Sequence, residues 1–179
     1  MADAVEDGVA QLHVVVRRHR PAQRALVVRA AGEGLVDVAT SIHVGMRGTF
    51  YDPGIFETAR ELGYGLITFE ELRTRGVSGI TAELKHRLAG RPVYLCWDMD
   101  FFDPSCAPGV CAPIPGGPSA DDGLRLLRGL SGLGFVAFDI NTVSPPHDVR
   151  GMTAQLAAQV MYDCLVLLCG SLDPPSVLE

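Results

Sequence analysis

Three aspartates lie close together just after a short apolar run of the chain. Asp98, Asp100 and Asp103 follow the run at residues 93–97. Because side chains alternate along a strand, Asp98 and Asp100 are expected on the same side, where two carboxylates repel unless a cation or a proton lies between them. Oxygen donors of this kind suit Mn²⁺ or Mg²⁺ better than zinc. The alternative is that the aspartates only cap the end of the strand and its loop.

The surrounding sequence indicates what positions these carboxylates. From about residue 35, short β-branched runs alternate with stretches of helical periodicity, which is typical of βα units around a parallel sheet. The carboxyl ends of parallel strands face the crevice in which such sheets bind ligands. The continuous apolar run before Asp98 is typical of an inner strand. We therefore expect the aspartates to lie at that crevice.

The other elements follow from the same patterns. Strands are predicted at residues 38–44, 65–69, 93–97 and 135–140. Helices are predicted at residues 52–62, 70–74, 81–88 and 152–169, with a further helix that begins after Ser119 and ends near Leu130. Residues 102–118 are rich in proline and glycine and are predicted to form a long functional loop.

Composition narrows the possible partners and the compartment. The 179 residues carry 15 basic and 21 acidic side chains, a formal charge of -6, so no surface for nucleic acid is expected. Five cysteines without a C-x-x-C pair, and an acidic N-terminus without a signal-peptide pattern, predict a cytoplasmic protein. Gln155, Gln159 and Asp163 interrupt the most apolar stretch, which favours a packed helix over a membrane span. No membrane partner is expected.

A longer pattern around the aspartates resembles a known family. The letters CWDMDFFDP at 96–104, PG at 108–109 and GG at 116–117 resemble the ureohydrolase signature S-x-D-x-D-x-x-D-P-x-x-x-P-G-x-x-x-P-x-x-G-G. This family contains the arginases and agmatinases. IHVGMRG at 42–48 resembles its G-x-R strand end, and DINTVSP at 139–145 its late D-x-x-E-x-x-P element. The resemblance covers about residues 30 to 170 and is closest to the agmatinases.

The resemblance implies a fold, an activity and a cofactor. It implies a three-layer α/β/α domain with a mainly parallel sheet, a binuclear Mn²⁺ centre, and attack of a metal-bridging hydroxide on a guanidinium carbon to give urea and an amine. The implied substrate is a linear guanidino compound such as agmatine, and a homo-oligomer is expected. Asp98 and Asp100 fall on two metal ligands, with Asp100 able to bridge both ions. Asp103 falls on a turn that closes the loop.

Four further metal ligands of the family are not found. They belong to a G-G-D-H and a D-A-H-x-D motif, of which only the frame DAVED at 3–7 remains, with Val5 where the histidine belongs. His13, His19 and His43 could substitute as ligands, or they could be ordinary packed or solvated histidines.

The predicted substrate contacts also depart from the family. Thr142 stands where many members have a glutamate that pairs with the guanidinium, and threonine cannot form that ion pair. This indicates a different pose or a different substrate. His147, beside Pro146 and Asp148 near the expected mouth of the sheet, is either a substrate contact or an ordinary polar loop residue. No residue is assigned as the catalytic group.

The sequence therefore predicts an arginase-like domain that is incomplete at its N-terminal side. Residues 1–30 form an atypical segment, and residues 31–179 form the C-terminal portion of the domain. Two functions remain open: an agmatinase-like ureohydrolase, or an inactive truncated member that acts as a binding or assembly partner. Loss of the first βα units would expose a strand edge and apolar helix faces, so poor solubility or association through that edge is expected.

Overall fold

Five parallel strands form one sheet in the computed structural model, which describes residues 10–14, 31–34, 36–48 and 54–171. The strand order is β3-β2-β1-β4-β5, and every neighbouring pair is parallel. The strands are β1 (Ala10–Val14), β2 (Ile42–Met46), β3 (Gly65–Thr68), β4 (Pro92–Asp98) and β5 (Gly134–Asn141). The predicted α/β class with a parallel sheet is confirmed.

Successive strands are added on one side of β1 first and then on its other side. The chain places β2 and β3 on one side of β1 and then crosses to place β4 and β5 on the other side. In doubly wound sheets the ligand crevice lies outside the carboxyl ends of the strands at such a reversal. Because Asp98 is the last residue of β4, it lies at this position.

Four helices of seven or more residues accompany the sheet within the described ranges. They are α1 (Ile55–Glu61), α2 (Phe69–Leu88), α3 (Ala120–Gly129) and α4 (Met152–Ser171). The alternate residues Val93, Leu95 and Trp97 of β4 are fully buried and share one core cluster with residues of α2, α3 and α4. The core therefore lies between one face of the sheet and these three helices.

Side chains at the helix starts explain two of the boundaries. Thr68 and Glu71 form a capping box at α2, in which Glu71 Oε2 accepts from the Thr68 amide at 2.7 Å. Ser119 Oγ accepts from the Asp122 amide at 3.1 Å and caps α3, as the sequence predicts. Each cap satisfies a backbone donor that has no partner within its own helix.

Three predicted boundaries are wrong. The strand predicted at 38–44 begins only at Ile42, because the Asp37 carbonyl accepts from the Ser41 amide and turns the chain first. The first helix begins at Ile55, after Gly54, and residues 52 and 53 lie outside the described residues. The helices predicted at 70–74 and 81–88 are one helix, kinked at Gly76, whose positive φ of 73° is easily adopted by glycine.

The other predicted elements agree with the structure to within two residues at each end. They are β3, β4, β5, α3 and α4. The sequence shows no clear period in residues 1–30, yet residues 10–14 form β1, which pairs with β2 on one side and with β4 on the other. The rest of that segment lies outside the described residues.

Candidate metal and substrate site

Asp98 and Asp100 lie together at the carboxyl end of β4. Their exposed fractions are 0% and 3%. A short 3-10 turn, Met99–Phe101, follows the strand, and Asp98 Oδ1 accepts from the Asp100 amide at 3.1 Å. Asp98 therefore does cap the turn, as the alternative interpretation expected. This capping bond leaves the carboxylates with further lone pairs, so it is compatible with a metal ligand role.

Thr142 joins the two aspartates from the neighbouring strand. It follows Asn141, the last residue of β5, which is the register partner of Asp98. Thr142 Oγ1 donates to Asp98 Oδ1 in a short hydrogen bond and accepts from the Asp100 amide at 3.2 Å. The structure therefore brings together three of the four predicted site residues. The φ of Thr142 is 65°, a left-handed conformation that is costly for a β-branched residue.

The long loop at residues 102–118 folds back over the pair. The Ala112 amide donates to Asp100 Oδ1 at 3.2 Å, and the Cys111 amide donates to the Thr142 carbonyl at 2.9 Å. Val110 and Val143 form an isolated antiparallel bridge. These bonds tie the loop to the ends of both β4 and β5.

Arg47 holds this loop from the end of β2. Its buried guanidinium donates to the carbonyl oxygen of Phe101 at 2.8 Å, and other bonds of 2.9 to 3.1 Å reach the carbonyls of Asp100, Phe102 and Ile114. Burial lowers the pKa of Arg47, and nearby aspartates oppose that shift. The sequence analysis places Arg47 only within the G-x-R strand end, and the structure shows that its side chain reaches the turn that carries Asp100.

Two glycines make room for these contacts. A Cβ on Gly117 would lie 2.4 Å from Nη2 of Arg47. A Cβ on Gly45 would lie 2.4 Å from the ring of Phe101, and Gly45 has a φ of 83°. A Cβ at either position would overlap its neighbour, so a larger residue would force Arg47 or Phe101 to shift.

Asp103 closes the loop, as the sequence predicts. Its Oδ2 accepts from the amides of Gly116 at 2.7 Å and Gly117 at 2.9 Å, and its Oδ1 accepts from the Ser105 amide at 2.9 Å. Hydrogen bonds from Ser105 and from these amides lower the pKa of Asp103 to about 2. Asp103 is therefore a charged loop anchor.

His147 lies apart from the hydrogen bonds of the aspartate pair. It is exposed at the end of the 3-10 turn Pro145–His147, and its Nδ1 is 2.7 Å from Ser144 Oγ. Asp148 follows and accepts from the amides of Thr153 and Ala154, which outweigh the effect of burial and lower its pKa. A substrate contact by His147 stays a prediction.

The histidines considered as replacement ligands differ in how the structure places them. His43 is buried in β2, with its ring centroid 5.1 Å from that of Tyr64, which favours a packed histidine. The backbone of His13 pairs in register with His43 and with Cys96. The side chain of His13, all of His19 and the frame at 3–7 lie outside the described residues.

The sequence analysis did not predict a polar cluster on β4 and β5, which consists of Tyr94, Cys96, Asp139 and Asn141. Asp139 Oδ2 accepts a short hydrogen bond from the Tyr94 hydroxyl, and its Oδ1 accepts from Asn141 Nδ2 at 2.8 Å and lies 3.6 Å from Cys96 Sγ. Burial, followed by the charge of Asp139, raises the pKa of Cys96 to about 12. Because side chains alternate along a strand, positions 94, 96 and 98 of β4 share one face, and this spacing is the signal by which the cluster could have been found.

The donor set fits a hard divalent cation only in part. Asp98 and Asp100 provide buried carboxylate oxygens of the type that Mn²⁺ prefers. Among the described residues, no group of three or more histidine, cysteine, aspartate or glutamate side chains could hold a metal ion. The pair can therefore supply two ligands, and the remaining protein ligands would have to come from outside the described part of the chain.

Comparison with known proteins places the chain in a family. The model of the arginase family matches residues 12–167. The chain is 40% identical over 143 residues to guanidinopropionase of Pseudomonas aeruginosa, covering 80% of this chain and 45% of that protein. It is 34% identical over 143 residues to agmatinase of Sodalis glossinidius, covering 80% of this chain and 44% of that protein.

Solved structures share the fold. A hypothetical agmatinase from Burkholderia thailandensis has a TM-score of 0.77 at 28% identity, covering 91% of this chain and 52% of that one. Proclavaminate amidino hydrolase from Streptomyces clavuligerus has a TM-score of 0.80 at 29% identity, covering 92% and 57%.

The chain belongs to the arginase family and has its arginase-like α/β fold. Within the family it is close to agmatinase-like proteins, as the signature at residues 96–117 predicts. The chain spans somewhat less than half the length of the curated relatives it matches.

Proposed function

We propose that this chain provides part of the active site of a ureohydrolase, an enzyme that cleaves a linear guanidino compound into urea and an amine. The observation that carries the proposal is the buried pair Asp98 and Asp100 at the end of β4, beside the reversal of strand order. Support comes from the relatives, whose names refer to guanidinopropionate and agmatine cleavage.

The proposed cofactor is Mn²⁺, held in part by Asp98 and Asp100. A metal ion at such a site lowers the pKa of water and so supplies a nucleophile near neutral pH. Burial of both carboxylates strengthens their interaction with a cation because water screens it less. Arg47 fixes the turn that carries Asp100 by holding three consecutive carbonyls, from Asp100 to Phe102.

Thr142 is proposed to orient Asp98 at the substrate side of the site. Its hydroxyl bonds directly to Asp98 Oδ1, so its position is set relative to the metal ligands. A threonine provides a neutral hydrogen-bonding group where a glutamate would provide a charge. His147, held by Ser144, is proposed as a second substrate contact from the loop after β5.

The proposed setting is a cytoplasmic homo-oligomer without a nucleic acid or membrane partner. All five cysteines are free thiols, which suits a reducing compartment. The formal charge of -6 disfavours binding to phosphate backbones and anionic membranes. Homo-oligomerisation follows from the family resemblance.

Urea release tests the proposed activity. The full chain, loaded with Mn²⁺, is assayed with agmatine, 3-guanidinopropionate, 4-guanidinobutyrate and arginine, beside the double variant Asp98→Asn/Asp100→Asn. A control variant, Glu61→Gln/Asp121→Asn, removes the same charge at exposed positions. Urea from the wild type and the control, but not from the aspartate variant, supports the proposal. No urea from the wild type would instead favour the inactive assembly partner.

A further inference from the structure

The middle of the loop at residues 102–118 is held from two sides. The Gly109 carbonyl accepts from the amide of Ser144, which follows β5, at 2.7 Å. The Gly109 amide donates to Thr153 Oγ1 at 2.7 Å, and Thr153 lies in the first turn of α4. Both main-chain polar groups of one loop residue are therefore fixed, one by the segment after β5 and the other by the start of α4.

Thr153 connects this loop to Asp148. The Thr153 side chain is 0% exposed. Its hydroxyl accepts from the Gly109 amide and donates to the carboxylate of Asp148. That carboxylate also accepts from the Thr153 amide at 2.9 Å and from the Ala154 amide at 3.0 Å. Because the hydroxyl both accepts and donates, its orientation is set by the two residues that it joins.

Gly109 packs directly against Asp148. A Cβ on Gly109 would lie 2.5 Å from Cβ and 2.6 Å from Cα of Asp148. Since the Cα belongs to the backbone, it could not rotate away as the end of a flexible side chain could. The glycine therefore lets the backbone of the loop lie on the start of α4, where Thr153 binds it.

The same loop meets the aspartate pair three residues later. The Cys111 amide donates to the Thr142 carbonyl at 2.9 Å, and the Ala112 amide donates to Asp100 Oδ1 at 3.2 Å. The bond from Ala112 restricts the rotation of the Asp100 carboxylate and leaves its other oxygen for a further partner. The position of Gly109 therefore influences where Ala112 meets Asp100.

We propose that Thr153 and Asp148 are positioning residues for Asp100. They hold Gly109, and the short segment from Gly109 to Ala112 carries that position to the Asp100 carboxylate. The start of α4 thus sets the orientation of a proposed metal ligand that it does not touch. The inference rests on the proposed function only in that Asp100 binds a cation, because the link between α4 and the loop belongs to the fold.

The alternative is that Asp148 and Thr153 only begin α4. A cap explains the bonds from the Thr153 and Ala154 amides to Asp148. It does not explain the bond from Gly109 to the Thr153 hydroxyl, because Gly109 lies outside the helix. The two roles give different results for Thr153→Val, which keeps both amide bonds of the cap and removes the hydroxyl.

Amide hydrogen exchange measured by NMR tests the link between α4 and the loop. In Thr153→Val, the Gly109 and Ala112 amides should exchange about tenfold faster, because a lost hydrogen bond changes a local opening equilibrium by roughly that factor. The Ala112 amide proton should also move upfield as its bond to Asp100 lengthens. Thr153→Ser keeps the hydroxyl and should restore both measurements.

Thr81→Val is the matched control. Thr81 is a second buried threonine, and its hydroxyl donates to the carbonyls of Val77 and Ser78 within α2, at 3.0 Å each. Its loss should destabilise the chain without affecting the loop. Exchange at the β4 amides reports unfolding of the whole chain, so the loop amides are compared with them in every variant.

Mn²⁺ affinity measured by electron paramagnetic resonance relates the loop to the proposed site. The dissociation constant for Mn²⁺ should rise about tenfold in Thr153→Val, the size of effect expected when a group that orients a metal ligand is lost. Thr153→Ser and Thr81→Val should bind Mn²⁺ as the wild type does.

Several results would overturn the inference. They are unchanged loop exchange in Thr153→Val, an equal change in Thr81→Val, and failure of Thr153→Ser to restore the wild-type values. Faster loop exchange with an unchanged Ala112 resonance and unchanged Mn²⁺ affinity would also overturn it. If the wild type binds no Mn²⁺ but the exchange and the Ala112 resonance respond as expected, the inference stands and the proposed metal site is contradicted.

Discussion

Asp98, Asp100 and Thr142 share one small hydrogen-bond network that orients the carboxylates. The Asp100 amide bonds both to Asp98 Oδ1 at 3.1 Å and to Thr142 Oγ1 at 3.2 Å, so the turn and the neighbouring strand are joined at one point. The proposed metal site would therefore need less rearrangement when a cation binds, which would lower the free-energy cost of binding.

The Thr142 hydroxyl is predicted to stabilise the fold. Thr142→Val keeps the shape but removes one donor to Asp98 and one acceptor for the Asp100 amide, which should lower the free energy of unfolding by about 1 to 3 kcal/mol. Thr142→Ser keeps the hydroxyl and serves as the control. Denaturant unfolding of the three proteins measures the difference. Equal stability of Thr142→Val and the wild type would show that the network does not support the strand end.

Asp103 makes stability depend on acidic pH. Its pKa is lowered to about 2 in the folded chain, below the ordinary value of 3.8, so the unfolded state binds more protons between these values. The stabilisation is fully present above about pH 4 and is lost as the pH falls through about 2. Asp103→Asn should therefore be less stable than the wild type at pH 7, and this difference should shrink in that acidic range.

Denaturant unfolding as a function of pH measures the effect of Asp103. Asp121→Asn, at an exposed position of α3, is the control for the loss of one charge. A difference between the wild type and Asp103→Asn that stays constant from pH 5 to pH 2 would contradict the role of Asp103 as a charged anchor.

At the scale of elements, β2 packs against the 3-10 turn after β4 through a close contact between Gly45 and Phe101. Gly45, with a φ of 83°, lets the ring of Phe101 pass directly over the strand. Gly132 has a similar φ of 89° but open space around it. The two glycines therefore separate the cost of backbone strain from the cost of the contact.

Gly45→Ala is expected to destabilise the chain more than Gly132→Ala. Both should lose about 1 to 2 kcal/mol through the left-handed backbone, and the overlap with Phe101 should add about 1 to 3 kcal/mol for Gly45→Ala alone. The midpoints of denaturant unfolding compare them. Equal losses would mean that Phe101 moves aside without cost.

The elements that the sequence predicts well are those with strong local patterns. The continuously apolar β4, the loop rich in proline and glycine, and the Ser119 cap need no knowledge of the rest of the chain. β1 could not be predicted, because residues 10–14 lack a clear pattern and their position depends on pairing with β2 and β4. At Gly76 the local sequence predicts two separate helices, whereas the structure has one helix that continues beyond a kink.

The sequence predicts the site only where the contacts are made by particular types of side chain. The spacing of Asp98 and Asp100 was visible, whereas the partners of Arg47 are main-chain carbonyls 53 to 67 residues away, which leave no residue-type signature. The contact between Tyr94 and Asp139 depends on strand register, which shifts between Val93 and Tyr94.

For the whole molecule, the central feature is the pair of buried aspartates at the end of an inner strand of the parallel sheet. The chain matches the arginase family over residues 12–167 but spans less than half of its curated relatives.

A Mn²⁺ titration followed by electron paramagnetic resonance tests the central claim most directly. Free Mn²⁺ is measured as the wild-type chain is added, and the titration is repeated with Asp98→Asn/Asp100→Asn and with the charge control Glu61→Gln/Asp121→Asn. The account predicts that the wild type and the control bind Mn²⁺ at least tenfold more tightly than the aspartate variant. Indistinguishable binding by all three proteins would contradict a metal site at the end of β4.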